Sequence, residues 1–153
     1  MIPNQPCTSK NIFLADDDND DCILFEEALR EVCLETQLKM ANDGQQLMEM
    51  LDESVPPPPD VIFLDLNMPR KNGFECLDEI KQTVRYQGIP IVILSTSSNQ
   101  ANINKVYEQG ADFYICKPRT FPLLKKAIHK IMTINWNEHV SQPARDKFFL
   151  SFQ

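Results

Sequence analysis

Residues 60–73 read Asp60-Val-Ile-Phe-Leu-Asp65-Leu-Asn-Met-Pro69-Arg-Lys-Asn-Gly73, an apolar run that ends in an aspartate and continues into a turn marked by proline and glycine. The pattern predicts a buried strand over 61–64 with Asp65 at its exit. A second apolar run, over 11–15, ends in the same way at Asp16 and Asp17. Because parallel strands place their carboxyl ends at one edge of a sheet, we expect the three carboxylates to meet there.

Apolar runs rich in β-branched residues alternate with segments of helical period along most of the chain. This alternation is typical of repeated βα units. It predicts an α/β fold, a five-stranded parallel sheet with helices on both faces, and its strands are expected at 12–15, 37–41, 61–64, 89–94 and 113–116. The third and fourth runs are the most apolar, so we expect them to be the central strands, covered on both faces.

Length and composition limit the class of protein. The chain has 153 residues, of which 42% are hydrophobic and 24% are charged, as in an ordinary globular protein. No apolar run approaches the roughly 20 residues of a membrane helix, and the first ten residues do not resemble a secretory signal. Five cysteines without C-x-x-C spacing favour free thiols in a reducing compartment. We therefore expect a cytoplasmic protein, and its net charge of −7 disfavours direct binding of nucleic acid.

Three segments are expected along the chain: a flexible N-terminus at 1–10, one domain at 11–134 and a tail at 135–153. The tail carries four aromatic residues, Trp136, Phe148, Phe149 and Phe152, and either packs on the domain or waits for a partner. The prolines at 56–59 most simply form a stiff connection from the second helix to the third strand. A docking site for a proline-reading module is the less favoured interpretation.

The acidic cluster predicts a cation. Two carboxylates ~4 Å apart repel each other by roughly 4 kcal/mol at an effective dielectric constant of 20, so three together take up protons or bind a divalent ion. A cluster without His or Cys suits Mg²⁺ or Mn²⁺. Ser95 at the end of the fourth run offers a hydroxyl and Lys117 after the fifth offers an ammonium group. A carboxylate nucleophile, a metal, a hydroxyl and a cation are the groups that phosphoryl transfer to an aspartate requires.

In combination and order, these motifs resemble the response-regulator receiver domain of two-component signalling, over about residues 11–134. The resemblance implies a flavodoxin-like (βα)5 fold with strand order 2-1-3-4-5 and signalling through the fourth helix, fifth strand and fifth helix. It also implies the following roles: Asp65 as phosphoacceptor, Asp17, Asp65 and the backbone carbonyl of Asn67 as metal ligands, Asp16 acting through a metal-bound water, and Ser95, Lys117 and Tyr114 as phosphoryl-stabilising and switch residues. Thr96 and Pro118 would lie near the site, and the Lys117–Pro118 bond resembles the family's cis peptide.

Several alternatives remain open at this point. The run Asp16-Asp17-Asp18 leaves the register of the acidic pair uncertain by one residue, although the length of the preceding strand favours the first two. Asp16 or Asp17 alone could instead cap the first helix. Thr96, larger than the residue many receivers have there, is expected to restrict access to Asp65.

The predicted function is that of a single-domain response regulator of the small stand-alone bacterial type. It would accept phosphate from a histidine kinase or phosphotransfer protein and control a downstream partner protein, as a monomer or weak homodimer without membrane contact. Such a domain is a phosphoacceptor that phosphorylates and dephosphorylates itself and is not a conventional enzyme. A Mg²⁺-dependent phosphatase with an aspartate nucleophile is the alternative, but such enzymes place a second Asp where this chain has Asn67. A scaffold without phosphorylation would require an incomplete site.

Overall fold

A single parallel sheet organises the described part of the chain, residues 10–136 and 142–152 of a computed structural model. Most of the expected N-terminal segment, with Cys7, lies outside the described residues. The strands are β1 (Lys10–Ala15), β2 (Thr36–Ala41), β3 (Val61–Leu64), β4 (Ile91–Ser95), β5 (Phe113–Cys116) and β6 (Phe149–Leu150). The helices are α1 (Asn19–Val32), α2 (Gly44–Ser54), α3 (Gly73–Gln82), α4 (Gln100–Glu108), α5 (Phe121–Met132) and the short α6 (Arg145–Phe148), with a 3₁₀ turn at Val84–Tyr86.

The strand order is 2-1-3-4-5-6, and every neighbouring pair is parallel. The α/β fold, the order of the first five strands and the central place of β3 and β4 are confirmed. The expected total of five strands is wrong, because β6 pairs with the free edge of β5. This strand has only two residues, too few for a periodic pattern to predict it.

Helices cover both faces of the sheet and enclose two apolar cores. Along β1, Phe13 and Ala15 point into one core and Ile12 and Leu14 into the other, as the two-residue period of a strand requires. The first core is closed by α2, α3 and α4, and the second by α1 and α5. No helix among the described residues is both long and apolar enough to cross a bilayer.

Polar side chains set where the helices begin. Each of the five longer helices starts after a residue whose side-chain oxygen accepts a backbone N–H bond from the first turn: Asp18, Asp43, Asn72, Asn99 and Thr120. Such caps satisfy donors that have no partner within the helix. After α4, Gly110 adopts the left-handed conformation (φ 101°) that the sequence predicts for the helix end.

The tail folds back onto the sheet through residues 142–152. Phe148 is buried in the first core, and the ring of Phe149 lies 5.7 Å from that of Tyr114. The ring of Trp136 packs edge-on against Phe113 at 6.0 Å. For the described aromatic residues, the alternative of a tail that waits for a partner before packing is therefore wrong.

One backbone prediction is also wrong. Within the described residues the cis peptide bonds are Val55–Pro56 and Pro56–Pro57, and Lys117–Pro118 is not cis. A trans bond is the ordinary preference of an X-Pro pair.

Candidate functional site

The register between β1 and β3 brings two of the acidic residues together. Ala15 pairs with Leu64, so Asp16 and Asp65 each follow the last residue of neighbouring parallel strands. The backbone N–H of Asp65 donates to the carbonyl of Ala15 at 2.9 Å. Both carboxylates therefore start from the same edge of the sheet.

The register between β4 and β5 adds two further groups at this edge. Ser95 pairs with Cys116, and the backbone N–H of the next residue, Lys117, donates to the Ser95 carbonyl at 2.8 Å. The Ser95 side chain is fully buried, and its hydroxyl oxygen accepts the backbone N–H of Ser97 at 3.2 Å.

Three carboxylates form a compact cluster at the centre of the site. One oxygen from each of Asp16, Asp17 and Asp65 lies within 4.8 Å of the others. Asp16 is 2% exposed and Asp65 is 6% exposed, whereas Asp17 is open to solvent. A set of hard oxygen donors with one exposed member suits a divalent cation that keeps several water ligands, such as Mg²⁺ or Mn²⁺.

The third aspartate of the acidic run has a separate task. The Asp18 side chain caps α1 by accepting the backbone N–H of Asp21 at 3.1 Å. One oxygen of the Asp16 side chain accepts the backbone N–H of Asp18 at 3.0 Å, and the other lies 2.8 Å from the ammonium nitrogen of Lys117. The alternative that Asp16 or Asp17 caps this helix is therefore wrong.

Lys117 joins the acidic groups. Its ammonium nitrogen lies 2.8 Å from Asp16, 2.7 Å from Asp21 and 3.7 Å from Asp65. Burial acts to lower the pKa of Lys117, but hydrogen bonds to Asp16 and Asp21 and the charge of Asp65 outweigh it and raise the pKa above its usual value. The side chain is therefore a permanent cation beside Asp65.

Burial raises the pKa of Asp65 to about 6, against the lowering effect of the Lys117 charge, and the negative charge of Asp16 raises it further. Backbone N–H groups of Leu66 and Asn67 donate to the carboxylate and favour its ionised form. Asp65 is thus a desolvated carboxylate that is ionised near neutral pH. That state is the one a nucleophile needs.

We expect Asp65→Asn to stabilise the metal-free protein by about 1–3 kcal/mol at pH 7. Because the folded pKa is about 6 and the unfolded pKa is ~3.9, the folded state binds more protons between these values. The favourable contribution of Asp65 is therefore complete below the unfolded pKa and is lost as the pH rises through the folded pKa. Urea unfolding in EDTA should show that the free energy of unfolding of the variant exceeds that of the native chain by an amount that grows from pH 4 to pH 7. A difference that does not depend on pH would contradict this prediction.

The remaining predicted residues lie around this cluster. Tyr114 is fully buried, and its hydroxyl donates to the Ser97 carbonyl at 2.7 Å. Asn67 and Thr96 are exposed, and Pro118 is half-buried.

Two residues contribute contacts to the site that the sequence analysis did not predict. Asp21 contacts Lys117 across 96 positions of sequence, a pairing that arises only when α1 docks on the folded domain. Gly73 donates its backbone N–H to the Leu66 carbonyl at 2.9 Å, and a Cβ there would overlap the backbone of Asp65. The turn signal of Asn72-Gly73 could have indicated this close approach, whereas no local pattern indicates the Asp21 contact.

Comparisons with known proteins match most of this chain to one family. The model of the response regulator receiver domain family matches residues 12–129. Response regulator Rcp1 of Synechocystis is 35% identical over 139 residues, which cover 88% of this chain and 94% of Rcp1. The crystal structure of the Mn(2+)-bound form of Rcp1 superposes with a TM-score of 0.73, covering 88% of this chain and 99% of that one. The phosphorylated cyanobacterial phytochrome response regulator RcpA is 33% identical, with a TM-score of 0.77 and coverage of 90% and 100%.

Proposed function

Since this chain belongs to the response regulator receiver domain family, we propose that Asp65 is the carboxylate on which it accepts a phosphoryl group. The observation that carries the proposal is the position of Asp65. It is buried at a strand end, grouped with the carboxylates of Asp16 and Asp17, and 3.7 Å from the ammonium of Lys117. Receiver domains act in signalling as phosphoacceptors, and histidine kinases or phosphotransfer proteins are the donors we propose here.

In the proposed step an oxygen of Asp65 attacks the phosphorus of the donor. A P–O bond forms, and the bond to the donor's nitrogen or oxygen breaks, with its electron pair leaving on the donor. Asp16, Asp17, Asp65 and the backbone carbonyl of Asn67 would hold a divalent cation, with Asp16 acting through a water. When bound, this cation neutralises the charge of the phosphoryl oxygens. The existence of a Mn(2+)-bound form of Rcp1 supports the binding of a divalent cation by this chain.

Three residues would convert the new phosphoryl group into a conformational signal. Lys117 would pair with it, and the Ser95 hydroxyl, whose oxygen accepts the backbone N–H of Ser97, would donate its hydrogen to a phosphoryl oxygen. Tyr114 is bonded to the carbonyl of Ser97, so a movement of residues 95–97 also changes the partner of the tyrosine. The phosphoryl group would thus shift the equilibrium between two conformations of the loop before α4.

We also propose the wider setting. Residues 11–134 form the receiver unit and 135–153 an accessory segment, in a cytoplasmic protein that acts on a downstream protein partner as a monomer or weak homodimer. The phosphatase alternative finds no support, because the exposed amide of Asn67 stands where such an enzyme needs a proton donor.

Intact-mass spectrometry tests the chemistry. After incubation with acetyl phosphate and Mg²⁺, the native chain should gain one phosphate, and EDTA should abolish the gain. Asp65→Asn should show none, because an amide cannot form the acyl phosphate. Asp60→Asn, which changes an exposed aspartate outside the cluster, is the control and should be modified like the native chain. Equal phosphorylation of Asp65→Asn would overturn the assignment.

A further inference from the structure

The ammonium of Lys117 is held mainly by residues other than Asp65. Its two short contacts, 2.7 and 2.8 Å, are to Asp21 and Asp16, whereas the distance to Asp65 is 3.7 Å. Only the first two distances are those of a hydrogen bond. Among the described residues, Lys117 has no acidic partner within 4 Å other than these three.

Asp21 is well placed to hold this cation. It lies in the first turn of α1, where its backbone N–H is bound by the capping side chain of Asp18 at 3.1 Å. Its own side chain is about one-third exposed, and that of Lys117 is mostly buried. The anchored helix therefore presents the Asp21 carboxylate to Lys117, although Asp21 is not one of the three clustered carboxylates.

We infer that Asp21 is a positioning residue that restrains Lys117 and so weakens the hold of the site on a phosphoryl group. A phosphoryl group on Asp65 gains a full charge-assisted bond to Lys117 only if the ammonium moves toward it and loosens its contact with Asp21. Asp21 also adds a negative charge that opposes an incoming anion. Both effects lower the affinity of the site for a phosphoryl group. The inference rests on the function proposed for Asp65.

The test compares Asp21→Asn with Asp20→Asn. Asp20 is the neighbouring acidic residue in the same first turn of α1 and does not contact Lys117, so it controls for the loss of charge at the helix terminus. The probe is beryllofluoride, an anion that mimics a phosphoryl group on a carboxylate. Its affinity is measured at saturating Mg²⁺, so that a change in metal binding does not enter the result.

We expect Asp21→Asn to bind beryllofluoride about 3- to 10-fold more tightly than the native chain, in keeping with the loss of a partly exposed ion pair. Asp20→Asn should change the affinity less than about twofold, and Asp21→Glu, which keeps the charge, should return it toward the native value. An affinity for Asp21→Asn equal to that of Asp20→Asn, or weaker than the native one, overturns the inference alone. Failure of the native chain to bind the probe, or binding that survives Asp65→Asn, overturns the proposed function and the inference with it.

Discussion

Phe148→Ala is expected to lower the free energy of unfolding by about 3–5 kcal/mol, the range for deleting a buried aromatic side chain. Phe148 is 1% exposed, although it belongs to a segment near the end of the chain. Its ring lies 4.9 Å from that of Tyr107 and 6.4 Å from that of Tyr114, edge-on to both. The loss should appear in urea unfolding of the whole chain, because the side chain fills the same core as α2, α3 and α4.

The neighbouring residue provides the control for this prediction. Lys147 is exposed, and Lys147→Ala should change the stability by no more than about 0.5 kcal/mol. If Phe148→Ala lowered the free energy of unfolding no more than Lys147→Ala does, residues 142–152 would not be docked as described.

The docked tail covers part of the surface at which signalling is predicted. Hydrogen bonds join the tail to α4 and to the segment that follows it. The Gln142 amide donates to the carbonyls of Tyr107 and Ala111, and the Tyr107 hydroxyl donates to the Pro143 carbonyl at 2.8 Å. Phe149 pairs with Tyr114 across the strands. The family resemblance predicts signalling through this region, and we expect a partner that binds α4 and β5 to contact the tail as well.

Gly73→Ala is expected to reduce the stability by about 3 kcal/mol, the upper part of the range for overpacking. An added Cβ would lie 2.8 Å from the Cα of Leu66 and would overlap the carbonyl oxygen of Asp65. Both are backbone atoms, which cannot turn aside as a flexible side chain can. The same displacement moves Asp65, so phosphorylation by acetyl phosphate should fall together with stability.

Gly88→Ala is the matched control, since a Cβ at Gly88 would meet nothing within 4 Å. It should leave phosphorylation unchanged. A Gly73→Ala protein with native stability and native phosphorylation would contradict the close approach of this helix start to Asp65.

Much of the site follows from local sequence. Asp16, Asp65, Ser95 and Lys117 each close an apolar run, and parallel pairing brings the ends of such runs to one edge. The continuous apolar runs of β3 and β4 likewise predict that both faces of these strands are buried. These features depend on short segments, so the sequence alone was sufficient to place them.

The rest depends on contacts between distant segments. The pairing of β6 with β5 depends on the packing of Phe148 and Phe149 beside Tyr114. A strand of two residues has no sequence pattern that predicts such packing. The Asp21–Lys117 contact likewise requires the final packing of α1 against the sheet. The capping role of Asp18 was hidden by a run of three aspartates, in which one residue of register decides between a metal ligand and a helix cap.

The most direct test of the phosphoacceptor is to locate the modified residue chemically. Borohydride reduces an acyl phosphate on aspartate to homoserine, and peptide mass spectrometry then identifies the position. After treatment with acetyl phosphate and Mg²⁺, we predict homoserine at position 65 and at no other aspartate, Asp16 and Asp17 included. Homoserine at another position, or none in a chain that has gained phosphate, would contradict the assignment of Asp65.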